Sequence, residues 1–110
     1  MLFHVVPLDE WTADVERPYA PASLTTDGFV HCSPHAPAAL AIADGPYRDV
    51  PDLLVLVIDE ARLGAEIRWE GSEDMLFPHV YGTVERAAVT AVMAVRRDAD
   101  GHARELTPWV

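Results

Sequence analysis

The run from Leu53 to Ile58, LLVLVI, is six apolar residues without a polar interruption. Successive side chains of a strand point to opposite faces, so a strand of this composition needs apolar cover on both sides. It reads as a central strand of a sheet, and the rest of the chain is organised around it.

Leu2 to Val6 (LFHVV) reads as a short strand that stops at Pro7. Leu8, Trp11 and Val15 recur at helical spacing, which predicts a short helix over 8–15. Residues 17–27, with two prolines and several small polar residues, read as a surface loop. Gly28 to Ser33 (GFVHCS) is a second strand. Ser33-Pro34 has the form of a helix start, a hydroxyl cap before a first-turn proline, with Pro37 delaying or breaking that turn. Ala38 to Ala43 continues as a helix, ended by Asp44-Gly45-Pro46.

Glu66 to Glu70 (EIRWE) alternates, with Ile67 and Trp69 inward and Glu66, Arg68 and Glu70 outward. Phe77 to Tyr81 (FPHVY) is extended because Pro78 disfavours helix at Phe77. Ala88 to Arg96 is a long strand, and Asp100-Gly101 turns the chain into a last short one. The order β-α-β-α followed mostly by β predicts one α+β domain over residues 1–110. It has a mixed or antiparallel sheet and two short helices.

Eight Lys and Arg stand against eighteen Asp and Glu, a formal net charge of −10. A polyanion gains no counterion release from such a surface, which argues against nucleic acid and against anionic membranes. The apolar run at 53–58 is far too short to span a bilayer. One cysteine, Cys32, makes neither an internal disulfide nor a thiolate-rich metal site. With no signal-like start at Met1, a cytoplasmic location is the expectation. No feature fixes an oligomeric state.

The chemistry sits in two motifs. In GFVHCS, alternation puts Phe29, His31 and Ser33 on one face and Cys32 on the other, so Cys32 reads as a small core hydrophobe. In FPHVYG the same rule groups Phe77, His79 and Tyr81. His4 lies on a third strand between Leu2 and Val6 on its face. Each histidine alone has an ordinary reading as a satisfied structural residue. Together they point to one polar pocket, with Glu70 at a strand end either its best-placed carboxylate or a solvated charge, and Tyr19 either folded onto it or packing the preceding loop. His4, His31 and His79 are a conceivable three-histidine metal set, but no ligand spacing specifies one, and no metal is expected. No glycine-rich dinucleotide loop is present.

The segment Tyr19 to Ser33 (YAPASLTTDGFVHCS), with FHV at 3–5 and FPHVYG at 77–82, resembles the bacterial family called domain of unknown function 952. The resemblance implies His4, Gly28, His31, Ser33, Glu70, His79, Tyr81 and Gly82 as characteristic positions, and Asp27 stands where Glu is usual. It implies a fold like that of the ADP-ribosyltransferase superfamily, which splits a nicotinamide dinucleotide and transfers ADP-ribose. On that view His4 holds a ribose, and Glu70 or His79 substitutes for the usual glutamate. NAD would be a substrate, not a resident cofactor. His4, His31, Glu70 and His79 are then the candidate catalytic residues, and Phe29, Ser33, Phe77, Tyr81 and Tyr19 the candidate ligand contacts. Three readings stand: a transferase-like enzyme or nucleotide-like binder, a non-catalytic small-molecule module, and a three-histidine metal hydrolase.

Overall fold

The computed structural model describes residues 1–109. Its strands are β1 (Leu2–Pro7), β2 (Val30–His31), β3 (Leu53–Ile58), β4 (Glu66–Gly71), β5 (Leu76–Tyr81), β6 (Val89–Arg97) and β7 (Ala103–Pro108). Its helices are α1 (Leu8–Thr12), α2 (Ala22–Thr26) and α3 (Ala36–Asp44), with 3-10 turns at Glu60–Arg62 and Arg86–Ala88. The strands form two antiparallel sheets, ordered β1-β3-β6-β7 and β2-β5-β4. The architecture is therefore α+β with three short helices and two sheets, not two helices on one sheet.

The Leu53–Ile58 run lies inside its sheet between β1 and β6. One face carries Leu54, Leu56 and Ile58. These pack with Leu2 and Val6 of β1, and with Val30 and Val80 from the second sheet, in the main core. The other face carries Leu53 and Val55, which bury Ala39 and Ala43 of α3 together with Val5. Each layer covers one face, as an uninterrupted apolar strand requires.

The two sheets are joined through residues 30–33. Val30 and His31 pair with β5, whereas Ser33 bridges Phe3 of β1. The Ser33 N–H donates to the Phe3 carbonyl at 2.6 Å, and the Phe3 N–H returns a bond to the Ser33 carbonyl at 2.9 Å. The strand expected over 28–33 is thus split between two sheets. Gly28, at φ +83°, turns the chain into it, a backbone region that side-chain-bearing residues rarely adopt.

Other expectations are corrected by long-range contacts. The helix predicted over 8–15 stops at Thr12, and Val15 is 63% exposed. The carbonyls of Trp11, Asp14 and Arg17 accept instead from the Arg86 guanidinium at 2.7–2.9 Å, which also lies 4.2 Å over the Trp11 ring. The predicted loop at 17–27 contains α2. The α3 cap is not Ser33 but His35, whose Nδ1 accepts from the Ala38 N–H at 3.1 Å, with Pro37 in the first turn. Trp69 is on the core face with Ile67 and Pro78 but is 49% exposed, because β4 and β5 run past the edge of the core.

Leu56 is fully buried at the centre of the main core. Leu56→Ala is expected to destabilise the chain by about 2–5 kcal/mol, the range for a buried leucine leaving a cavity. Urea unfolding would show this as a lower midpoint at unchanged slope.

Candidate functional site

His4 points into the main core, opposite Leu56, and is 6% exposed. Both ring nitrogens are bonded inside the protein: Nδ1 to the His31 carbonyl at 2.6 Å, and Nε2 to the Tyr19 hydroxyl at 2.8 Å. A carbonyl only accepts, so Nδ1 carries the proton and Nε2 accepts from Tyr19. Burial is the main influence on the ring and lowers its pKa to about 4. Burial likewise pushes the Tyr19 phenol upward, so the pair is neutral. His4 therefore has no free nitrogen for a ribose, and Tyr19 is the polar group it presents.

On the outer face of the second sheet a separate cluster forms. His31 and His79 are register partners, so their side chains share a face, with ring centroids 5.5 Å apart. Phe29 stacks on His79 at 4.0 Å and 17°, and its ring centroid lies 4.6 Å from that of His31 and 5.2 Å from that of Tyr81. Glu70 Oε1 accepts from His79 Nδ1 at 2.9 Å and from the Tyr81 hydroxyl at 2.5 Å. The Tyr81 bond, then the His79 bond, hold the Glu70 carboxyl below the usual carboxylate range. The same bond to Glu70 raises the Tyr81 phenol. His31 Nε2 lies 2.8 Å from Asp27 Oδ2. Each of these two histidines thus has a carboxylate on one nitrogen and no protein partner on the other among the described residues.

A cavity of about 410 Å³ lies beside this cluster, within the range of small-molecule sites. His4, Tyr19, His31, Ser33, Phe77 and His79 line it, joined by Glu10, Ser23, Ile42 and Tyr47. Phe29, Glu70 and Tyr81 are not in its wall; Glu70 is bonded to His79, and Phe29 packs on both His31 and His79. Ser33 is 4% exposed and lines the cavity, and its hydroxyl, which makes no side-chain hydrogen bond among the described residues, is open to the cavity and not sealed in the core. Cys32 is buried in the main core and also meets the cavity wall, and burial raises its thiol to about 12, which keeps it protonated near neutral pH. Among the described residues no group of three His, Cys, Asp or Glu is disposed to hold a metal ion, and the His4–His31–His79 set is not one. No helix among the described residues is long and apolar enough to cross a membrane.

Sequence reasoning gave three neighbours no role in the site. Asp27 partners His31 from four residues away. Arg68, opposite His79 in the sheet, lies 4.4 Å over the Tyr81 ring and is paired to Glu66 at 3.1 Å. Tyr47, between α3 and β3, lines the cavity with no motif to mark it. The Asp27–His31 spacing was the one usable signal.

The fold and this site define a small α+β protein with a histidine- and aromatic-walled cavity. The chain belongs to the family described as protein of unknown function DUF952, whose model matches residues 5–92. It is similar to the crystal structure of protein CC0527 from Caulobacter crescentus, with a TM-score of 0.80 and 27% identity over 94% of this chain and 92% of that one. It is also similar to the solution NMR structure of CC0527, with a TM-score of 0.75 and 28% identity over 94% and 90%. Nothing among curated proteins matches the chain.

The His4 arrangement has a pH consequence. The folded ring binds a proton only near pH 4, whereas the unfolded ring does so near 6.5. Between these values the unfolded state holds more protons, so this contribution is complete above pH 6.5 and is lost as pH falls toward 4. The loss is at most roughly 3 kcal/mol. Urea midpoints of wild type and His4→Gln at pH 7 and pH 4.5 check it: the variant is expected to be less stable at pH 7 and to lose less on acidification.

Proposed function

We propose that this chain binds a small polar molecule with a flat ring in the cavity, and that a nicotinamide- or ADP-ribose-like fragment is the chemistry that suits it. One observation carries this reading: the Tyr19 hydroxyl, fixed by a neutral buried His4, stands in the same wall as Phe77, His79 and the unpartnered Ser33 hydroxyl. The aromatic rings supply a stacking surface, and the hydroxyls supply partners for a ligand's own hydroxyls. The choice of ligand follows from the resemblance, drawn from the sequence motifs, to the ADP-ribosyltransferase superfamily. The cavity wall contains no lysine or arginine, so the nucleoside or nicotinamide end belongs inside and the phosphates outside.

A transferase acting on NAD is the second reading, favoured by the carboxylate of Glu70 held by two donors next to the cavity. Glu70 is outside the cavity wall, which supports binding over transfer.

Calorimetry with ADP-ribose and with NAD tests the binding. Wild type is expected to bind at least one of them at millimolar concentration or below. Tyr19→Phe keeps the ring and is expected to weaken binding about 5- to 10-fold, the worth of about one hydrogen bond. Glu70→Gln is expected to leave binding unchanged and to abolish any release of nicotinamide. Absence of binding to wild type at millimolar ligand would overturn the reading.

A further inference from the structure

The outer face of the second sheet holds two histidines whose free nitrogens the binding role does not use. His79 has its Nδ1 proton on Glu70, which leaves Nε2 as the basic nitrogen, and His31 has Nε2 on Asp27, which leaves Nδ1. The ring centroids are 5.5 Å apart, and both rings line the same cavity. They differ in exposure: the His79 side chain is 15% exposed under the stacked Phe29, whereas that of His31 is 55% exposed. A sheltered imidazole with an ionised carboxylate behind it is a general base, because the carboxylate stabilises the imidazolium as it forms. A solvent-exposed imidazole beside a carboxylate can reload its proton from water.

We propose that His79 and His31 are a general base and general acid pair, and that they hydrolyse an uncharged ester with a flat group seated in the cavity. His79 Nε2 removes a proton from water as the water oxygen forms a bond to the ester carbonyl carbon. The bond from that carbon to the alcohol oxygen then breaks, and the leaving oxygen takes the proton from Nδ1 of His31, which enters the cycle as the imidazolium with its Nε2 proton on Asp27. The products are the acid and the alcohol. The proton on His79 passes to solvent, and His31 takes one back, so the pair is reset with one water consumed. The absence of lysine and arginine from the cavity wall favours an acyl group over a phosphoryl one, whose charge needs a cation. Glu70 is a positioning residue here, acting through His79. The inference rests on the cavity being a ligand site, but not on the ligand being nicotinamide-like.

The probe is 4-nitrophenyl acetate, with release of nitrophenol followed against pH for the full chain. Wild type is expected to exceed free imidazole at equal histidine concentration. His79→Gln is expected to lower kcat/KM about 100-fold or more, the lower end of general acid–base contributions. Glu70→Gln is expected to lower kcat and move the acidic limb of the pH profile, which reports the general base His79, to lower pH while leaving KM within twofold. His102→Ala, outside the cavity, controls for surface histidines and is expected to match wild type. Circular dichroism of each variant separates loss of chemistry from loss of fold. A wild-type rate no greater than free imidazole, or a folded His79→Gln protein with the wild-type rate, would overturn the proposal. Ester turnover without binding of ADP-ribose or NAD would support it while removing the nicotinamide-like ligand, so the two readings fail separately.

Discussion

The structure depends on the bond from His4 Nδ1 to the carbonyl of His31. Residues 30–33 belong to both sheets, and where the chain passes from β5 to β1 a carbonyl is left near the main core. A carbonyl taken out of water needs a donor. An imidazole on β1 supplies the donor while its other nitrogen fixes Tyr19. One side chain thereby ties β1, the crossing strand and the 19–23 segment together, and the cavity lies where they meet. Burial keeps the ring neutral, which the arrangement requires, since an imidazolium would have to donate to Tyr19 as well.

His31 and His79 lie on the opposite face and face the opposite electrostatic situation. In a chain with a formal charge of −10, each has a carboxylate at 2.8–2.9 Å, and Tyr81 and Arg68 complete the ring of partners around Glu70 and Phe29. Three histidines that look alike in sequence therefore divide into one that holds the fold and two whose free nitrogens are available to a ligand. Gly82 marks the end of this face: a Cβ there would stand 2.7 Å from that of Ala65, so the β5 exit packs too closely for any larger residue.

Much of this was legible in the sequence because it follows from period two. The LLVLVI strand, the side of β1 that carries His4 with Leu2 and Val6, and the opposite sides taken by His31 and Cys32 all follow from alternation, whereas the pairing that puts His31 beside His79 does not. The family was legible from the two histidine motifs. What was not legible depends on partners far along the chain. Arg86 takes the carbonyls that would have continued α1, from about seventy residues away, and nothing near Trp11 announces it. Ser33 has the composition of a helix cap, but its backbone is claimed by Phe3, and the cap passes to His35. Alternation placed Trp69 on the correct face without revealing that the core ends before it. His4 could be assigned to a face, but its commitment to two protein groups could not be read from a strand pattern.

The tautomer and charge of His4 are observable directly. Nitrogen–proton correlation spectra of the imidazoles, recorded from pH 7 down to pH 5, report which ring nitrogen carries hydrogen in each of the five histidines. The account predicts a neutral His4 with its proton on Nδ1 across that range, consistent with a pKa near 4. A His4 ring protonated on Nε2, or one that titrates near 6.5, would contradict it.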